Sequence, residues 1–382
     1  MKLDLDHGLI VISANSSWNV VNFRSGLIRA LVAQNHRVVV IAPKDSYSDQ
    51  IVSLGAEYRP ITLASSGVSL IDDGRSLLRY RRLLRELRPR GFLGFTAKPN
   101  IYGSLAALGL GIRIINNISG LGTAFMKPGV LQGVVSILYR CALARSAVVF
   151  FQNPDDRDLF IERRLARPDQ ARLLNGSGID LDQFCPPQND RELGPLRFLL
   201  VARVLRDKGV EEYVGAARIL RGEGSDARFG LLGPTDADNR TAISAAQVAS
   251  WQDEGLVEYL GTSDDVRPHL AAADCVVLPS YREGLPRSLI EAAAMGKPII
   301  TTDVPGCRGA VEDGVTGLLC EARSAKALAD AVRKMIAFTE SKRRAMGRAG
   351  RDRAERLYDQ DIISAAYLDE IEPYSACRRS AS

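Results

Sequence analysis

Short runs of consecutive apolar residues alternate along the chain with longer stretches in which apolar positions recur every three or four residues. The runs read as buried strands and the stretches as helices laid over them, a pattern that predicts βα units and parallel sheets. Strands are expected at 9–12, 38–42, 92–96, 112–115 and 147–151, with helices over 23–34, 75–88 and 131–144. A second series follows, with strands at 197–202, 228–232, 257–259, 275–279 and 299–301. Its helices are expected over 210–221, 242–252, 266–273, 288–295 and 324–338. Between the series, residues 175–194 carry glycines, then Pro186 and Pro187, then polar residues, which is linker chemistry.

The expected fold is therefore α/β: two Rossmann-like, doubly wound parallel-sheet domains facing a cleft, where open sheets of this kind bind ligands. The boundaries read as 1–180 for the first domain and 181–357 for the second. A helix within 358–382 is expected to pack back on the first domain, with a frayed end over 377–382.

The length of 382 residues agrees with two cores. A composition of 46% hydrophobic and 25% charged residues excludes a disordered chain and a disulfide-dense mini-protein. The longest apolar stretch, 133–151, is interrupted by Arg140 and Arg145, so no membrane span is expected. The start carries Asp4 and Asp6 where a secretory signal would be basic, and no such signal is expected. Six scattered cysteines and three histidines make a Cys/His zinc site improbable and point to reduced, cytosolic thiols.

The net charge of +5 hides an asymmetry: residues 1–187 hold 23 Lys+Arg against 15 Asp+Glu, the remainder 27 against 30. Much of the excess lies in 75–90, either a solvated helix face or a surface for an anionic partner such as a membrane.

Familiar nucleotide fingerprints fail. Gly296-Lys297 is followed by Pro298, so there is no P-loop, and Gly120-Leu-Gly122 has Phe125 where a third glycine would stand. The informative stretch begins with the 275–279 strand and its loop Ser280-Tyr-Arg-Glu283-Gly284-Leu285-Pro286, and runs into a helix carrying Glu291. Gly284 permits close backbone approach, and free N–H groups at the helix start suit a phosphate. Glu283 and Glu291 could accept hydrogen bonds from sugar and ribose hydroxyls, although their spacing alone favours a solvated loop acid and a helix-surface residue. A second element, Val201-Ala-Arg203-Val-Leu-Arg206-Asp207-Lys208-Gly209, brings Arg203 and Lys208 to the end of the first strand of the second series. Two cations there suit a leaving diphosphate; an ordinary charged turn is the alternative.

Together these elements resemble the donor domain of family-4 retaining glycosyltransferases of the GT-B fold. The resemblance extends through Tyr259-Leu-Gly261, Lys297-Pro298, Thr302-Asp-Val-Pro-Gly306 and Gly314-Val-Thr-Gly317, and to the crossing Gly176-Ser-Gly-Ile-Asp180. In the first half, Asn15-Ser-Ser17, Asn22-Phe-Arg24, Thr96-Ala-Lys98-Pro-Asn100-Ile-Tyr-Gly103 and Asn116-Asn-Ile-Ser-Gly-Leu-Gly122 resemble a narrower group. Its members are bacterial enzymes that extend polyprenyl-diphosphate-linked glycans, among them N-acetylgalactosaminyl transferases.

The resemblance implies that Glu291 binds the donor ribose. Glu283 and the backbone of Gly284, Leu285 and Pro286 contact the transferred sugar and its phosphate, and Arg203 and Lys208 hold the diphosphate. Ser16 and Ser17 close over it, and Val257 and Tyr259 flank the base through backbone atoms. Lys98, Asn100 and Ser119 fall on the acceptor side, Asn100 alternatively holding its own turn. The family's amino-terminal glycine pair is replaced by Asn15-Ser-Ser17. Ser119 stands where many members have His, Gly309 where an acid is common, and Arg90-Gly91 where Pro-Asp is frequent.

The implied reaction is metal-independent and cofactor-free: retaining transfer from a UDP-sugar to a polyprenyl-diphosphate-linked acceptor. It would take place in the cytoplasm at the inner face of the membrane, with an anionic lipid surface and no nucleic acid as partner. Competing readings are a catalytically silent GT-B scaffold subunit and a nucleotide-sugar 2-epimerase, the latter disfavoured by the scarcity of acid–base groups.

Overall fold

The structure, a computed structural model, describes residues 8–63, 70–121, 129–187, 194–235 and 239–371. Asp4, Asp6, Gly122, Phe125 and the 377–382 end lie outside them. The chain forms two compact units, Met1–Gly178 with Gln360–Ser382, and Ile179–Asp359.

Seven strands build the first unit: β1 (Leu9–Ser13), β2 (Arg37–Ala42), β3 (Glu57–Pro60), β4 (Gly91–Phe95), β5 (Arg113–Ile118), β6 (Val148–Phe151) and β7 (Ala171–Leu173). They form one parallel sheet in the order 3-2-1-4-5-6-7. Its helices are α1 (Ser17–Ala33), α2 (Ser48–Ser53), α3 (Leu70–Leu87), α4 (Ser104–Ala107), α5 (Val130–Leu143) and α6 (Pro154–Glu162); a π-helical turn at Pro99–Gly103 precedes α4.

The second unit has β8 (Arg197–Val201), β9 (Arg228–Leu232), β10 (Glu258–Tyr259), β11 (Cys275–Leu278), β12 (Ile299–Thr302) and β13 (Gly317–Cys320), also parallel, in the order 10-9-8-11-12-13. Its helices are α7 (Val210–Gly222), α8 (Ala245–Asp253), α9 (Arg267–Ala272), α10 (Arg287–Ala294), α11 (Ala325–Ala337) and α12 (Glu340–Leu357). The final helix, α13 (Gln360–Ile371), belongs to the first unit, where it packs on α1. Its Tyr367 stands against Phe95 and Phe150, with ring centroids 5.8 and 4.9 Å away, and its hydroxyl accepts a 2.8 Å hydrogen bond from Asn117.

The central strands are buried on both faces, which is why they read as continuous apolar runs rather than alternating ones. Two apolar layers cover each sheet. In the first unit, Tyr80, Phe92 and Phe160 lie in one layer and Ile28, Phe95 and Tyr367 in the other.

The elements that periodicity leaves out have physical reasons. β3 and β7 are edge strands of four and three residues, half-exposed or exposed along most of their length. Charged residues fill α12, which buries Met346, Gly347, Gly350 and Ala354. A small-residue face of that kind has no apolar stripe to detect. The first turns of α1 mix Ser17, Asn19 and Asn22 with Trp18, Val20 and Val21, which blurs their periodicity; Ser16 caps them, its hydroxyl accepting from the Asn19 N–H at 3.1 Å.

Candidate active site

In both sheets the strand order reverses direction between the first and fourth strands of the series: β1 and β4 in one, β8 and β11 in the other. The carboxyl ends of such a strand pair form the crevice where open α/β sheets take ligands. In the second unit that point is occupied by the two loops the sequence singles out.

After β8 the chain turns through Leu205 into a single 3₁₀ turn, Arg206–Lys208, and enters α7 at Gly209. Gly209 has φ +72°, and a β-carbon there would lie 2.0 Å from the Pro279 carbonyl oxygen. Only glycine lets the two loops approach so closely. The approach is locked by the Asp207 carbonyl, which accepts from the Tyr281 N–H at 3.0 Å. The Lys208 ammonium consequently forms an ion pair with a Glu283 carboxylate oxygen across the switch point. The Ser280 hydroxyl lies 2.7 Å from the same oxygen and 3.0 Å from the Asp207 carbonyl, and can give its single proton to either.

The loop 280–286 is held from below as well. The Thr302 hydroxyl donates to the Ser280 carbonyl, and the Glu283 N–H donates to Pro305 at 3.1 Å. Gly306, at φ +84°, lies under it: a β-carbon there would come within 2.2 Å of the Glu283 carbonyl oxygen. The run Thr302-Asp-Val-Pro-Gly306 is thus the floor of the Glu283 loop.

α10 starts beyond this loop with Pro286 as its cap, and no side chain caps it. Helix N–H groups in such a first turn, with the positive end of the helix dipole, form an anion seat. One turn in, Glu291 is 9% exposed and accepts from the Arg287 guanidinium at 2.8 Å. Burial pushes its carboxyl above the usual carboxylate range, an effect partly offset by Arg287. Arg203 is exposed after β8 and makes no ion pair among the described residues. Lys208, Glu283, Arg203 and the start of α10 therefore lie at neighbouring strand ends, with Gly284, Leu285 and Pro286 forming the backbone between them.

Val257 and Tyr259 separate. Val257, the residue before β10, is buried, by a 460 Å³ cavity at the amino end of the strands that Gln252, Leu256 and Glu258 also line. Tyr259 ends the strand, its N–H donating to Gln252 Oε1 and its hydroxyl to the Gly233 carbonyl, both at 3.0 Å. Of the two, Tyr259 is the one at the carboxyl edge.

In the first unit, Ser16 and Ser17 follow β1, Lys98 follows β4 and Ser119 follows β5, all at carboxyl ends. Two expectations need correction. Ser17 is fully buried, its hydroxyl donating to Pro43 at 3.0 Å and lying 3.0 Å from that of Ser48, so its side chain serves the fold rather than a ligand. Asn100 holds its own turn: it is 1% exposed, its amide N–H donates to Asn117 O at 2.8 Å, and its oxygen accepts from Asn116 at 2.9 Å. Lys98 is ion-paired with the buried Asp73 at 3.1 Å. The Ser16 hydroxyl is engaged as the α1 cap, and Ser119 is half-buried.

Tyr281 was not singled out by sequence reasoning. Its hydroxyl donates to Glu212 Oε1 of α7 at 2.6 Å, and the Arg323 guanidinium lies 4.0 Å above its ring. Arg323 adopts φ +62°, costly for a side-chain-bearing residue. Tyr281 sits inside the quoted loop, so its position was visible; Arg323, after β13, carries no local signal. Among the described residues no group of three or more His, Cys, Asp or Glu comes together as a metal site, and no helix is long and apolar enough to cross a membrane.

Two parallel α/β sheets of this order are the architecture of the GT-B fold. Residues 195–337 match the family described as "Glycosyl transferases group 1", and residues 21–176 match the "Glycosyl transferase 4-like domain". The chain belongs to this family and is a glycosyltransferase. One relative is an N,N'-diacetylbacillosaminyl-diphospho-undecaprenol alpha-1,3-N-acetylgalactosaminyltransferase of Campylobacter jejuni, 26% identical over 92% of this chain and 94% of its own length. Another is the Escherichia coli UDP-Gal:alpha-D-GlcNAc-diphosphoundecaprenol alpha-1,3-galactosyltransferase, 24% identical over 66% of this chain and 68% of its own length. Among solved structures, Anabaena HepE in complex with UDP-glucose matches with a TM-score of 0.78 at 16% identity, covering 97% of this chain and 100% of its own. A Thermosynechococcus elongatus sucrose-phosphate synthase matches with a TM-score of 0.79 at 19% identity, covering 97% of this chain and 99% of its own.

Proposed function

We propose that the enzyme moves an N-acetylhexosamine or hexose from a UDP-sugar to a polyprenyl-diphosphate-linked glycan, with retention of configuration, in bacterial polysaccharide or glycoprotein glycan assembly. The observation that carries this reading is the Lys208–Glu283 pair at the β8/β11 switch point beside the uncapped start of α10. A cation, an anion seat and a carboxylate are what a sugar diphosphate requires: charge for the phosphates and an acceptor for the sugar hydroxyls. The choice of acceptor is supported by the names of the Campylobacter and Escherichia relatives, and the choice of UDP by that of the second.

In this mechanism the bond between the anomeric carbon and the phosphate oxygen breaks while the acceptor oxygen bonds to the same face. The departing phosphate oxygen takes the acceptor's proton. Lys208, Arg203 and the α10 N–H groups stabilise the charge that grows on the diphosphate, so no metal is required. Glu283 accepts from the transferred sugar and Glu291 from the ribose; Tyr259 flanks the base. The enzyme works from the cytoplasmic side of the membrane, held there by its basic first unit.

The test is transfer from UDP-sugars to a polyprenyl-diphosphate acceptor, with the anomeric configuration of the product read by NMR. Glu283→Ala and Lys208→Ala should each lower the rate more than about tenfold in folded protein. Near-normal rates in both, or an inverted product, would overturn the assignment.

A further inference from the structure

We propose that the outer face of α5, together with the neighbouring outer stripe of α3, is a docking surface for an anionic lipid bilayer. Among the described residues eleven large apolar side chains are exposed, and six of them fall on these two helices: Ile71 and Leu78 on α3, Val130, Leu131, Val134 and Ile137 on α5. On α5, residues 130, 134 and 137 recur at helical spacing, so they share one face. That helix contains no acidic residue, and Arg140 in its last turn and Arg145 just beyond are exposed.

The α3 stripe has a different composition. Ile71, Arg75, Leu78, Arg82 and Arg85 follow one another at steps of four, three, four and three, which puts them in one outward row. All five are exposed, and Arg82 and Arg85 make no ion pair among the described residues. The acids nearby are fewer than the arginines: Asp73 is buried and pairs with Lys98, Asp72 pairs with Arg75 at 3.4 Å, and Glu86 is exposed, against four exposed arginines on α3, Arg75, Arg79, Arg82 and Arg85. The two helices lie on the same face of the first sheet. Tyr80 and Leu84 of α3 share one core layer with Tyr139, Ala142 and Leu143 of α5, and both helices pack against the short Pro99–Ala107 segment between them.

An apolar helix face bordered by an excess of arginines complements a bilayer surface, where apolar side chains enter the headgroup boundary and guanidinium groups meet phosphates. A second copy of the chain suits it less well. A two-fold contact through this face would set Arg82 and Arg85 against a like-charged patch. The choice of lipid as occupant rests in part on the acceptor proposed above; the exposed face does not.

The experiment is co-sedimentation with vesicles of equal parts phosphatidylglycerol and phosphatidylethanolamine, and with phosphatidylcholine alone. The protein should bind the first and bind the second more weakly. Val134→Asp/Ile137→Asp should lower partitioning at least about tenfold at low and high salt. Arg82→Glu/Arg85→Glu should lower it at least about tenfold at low salt and flatten the salt dependence. Both variants should keep the wild-type unfolding midpoint and normal transfer to a short-chain, water-soluble acceptor. If the wild type itself fails to transfer, the proposed function falls while the vesicle result stands. The docking proposal is overturned by absent wild-type binding or by binding indifferent to the α5 substitutions. It is equally overturned by a concentration-dependent dimer, seen in sedimentation equilibrium, that Ile137→Asp dissolves.

Discussion

The Lys208–Glu283 pair offers a way to separate what holds the site together from what performs transfer. Its side chains are 22% and 14% exposed, intermediate between a surface pair and a buried one. Surface pairs contribute at most about 1 kcal/mol, whereas breaking a fully buried one costs about 3–5 kcal/mol, because the surviving charge loses its compensation. Lys208→Met keeps the aliphatic stem and removes the charge, and should cost about 1–3 kcal/mol of stability. Glu283→Gln, isosteric and neutral, should cost a similar amount. In the double variant no charge is stranded, and a coupling of about 1–2 kcal/mol should be recovered. Transfer should behave differently. Each single change should lower the rate constant about 10²–10³-fold, as loss of a preorganised charge does elsewhere, and the double variant should regain none of it. Urea unfolding gives the first quantity and single-turnover transfer the second. A double variant that recovers transfer along with stability would show that the pair only braces the loops, and the diphosphate role of Lys208 would fall.

Gly209→Ala puts a β-carbon against the Pro279 carbonyl in a left-handed conformation; it should lower stability by about 2 kcal/mol or more and cut transfer over tenfold, both measurable in the same assays. Arg323→Gly relieves a left-handed backbone but uncovers Tyr281, so the unfolding midpoint should hold or rise while transfer falls several-fold; an unchanged rate would remove Arg323 from loop positioning. Glu291 has a carboxyl raised by burial, so the folded state holds its proton to higher pH than the unfolded chain does. Its contribution to stability is therefore present at acid pH and declines as pH rises from the ordinary glutamate range through the raised value. Thermal unfolding across that window should be flatter in Glu291→Gln than in the wild type, and a parallel slope would contradict the burial argument.

Much of the fold was legible because both sheets have central strands buried on two faces, and such strands announce themselves as apolar runs. What periodicity missed was built differently. β3 and β7 are half-wet edges, and α12 packs through glycine and alanine rather than a hydrophobic stripe. Lys208 and Glu283 were legible because each follows a strand within a few residues, and adjacent parallel strands bring their carboxyl ends together. The reading erred for Ser17, and for Asn100 it left a place on the acceptor side open beside a role in its own turn; only three dimensions show both polar side chains turned inward. The hydroxyl of one is taken up by Pro43 and Ser48, the amide of the other by Asn116 and Asn117. The exposed face of α5 was hidden for the converse reason: an apolar helix in an α/β chain reads as core until its packing is known.

The placement of α13 bears on how the protein is made. Ile363, Tyr367, Leu368 and Ile371 complete an apolar layer whose other members, Ile12, Ile28, Phe95 and Phe150, are all synthesised before the second unit begins. At about 5–20 residues per second the ribosome needs roughly 10–40 seconds to reach the missing helix. Throughout that interval one side of the first sheet lacks part of its cover, while the second unit, continuous in sequence, can close as soon as it emerges. The nascent chain is therefore most exposed to aggregation and chaperone capture in its earliest-made half. A premature stop at the start of α13 would leave the second unit whole and harm the first.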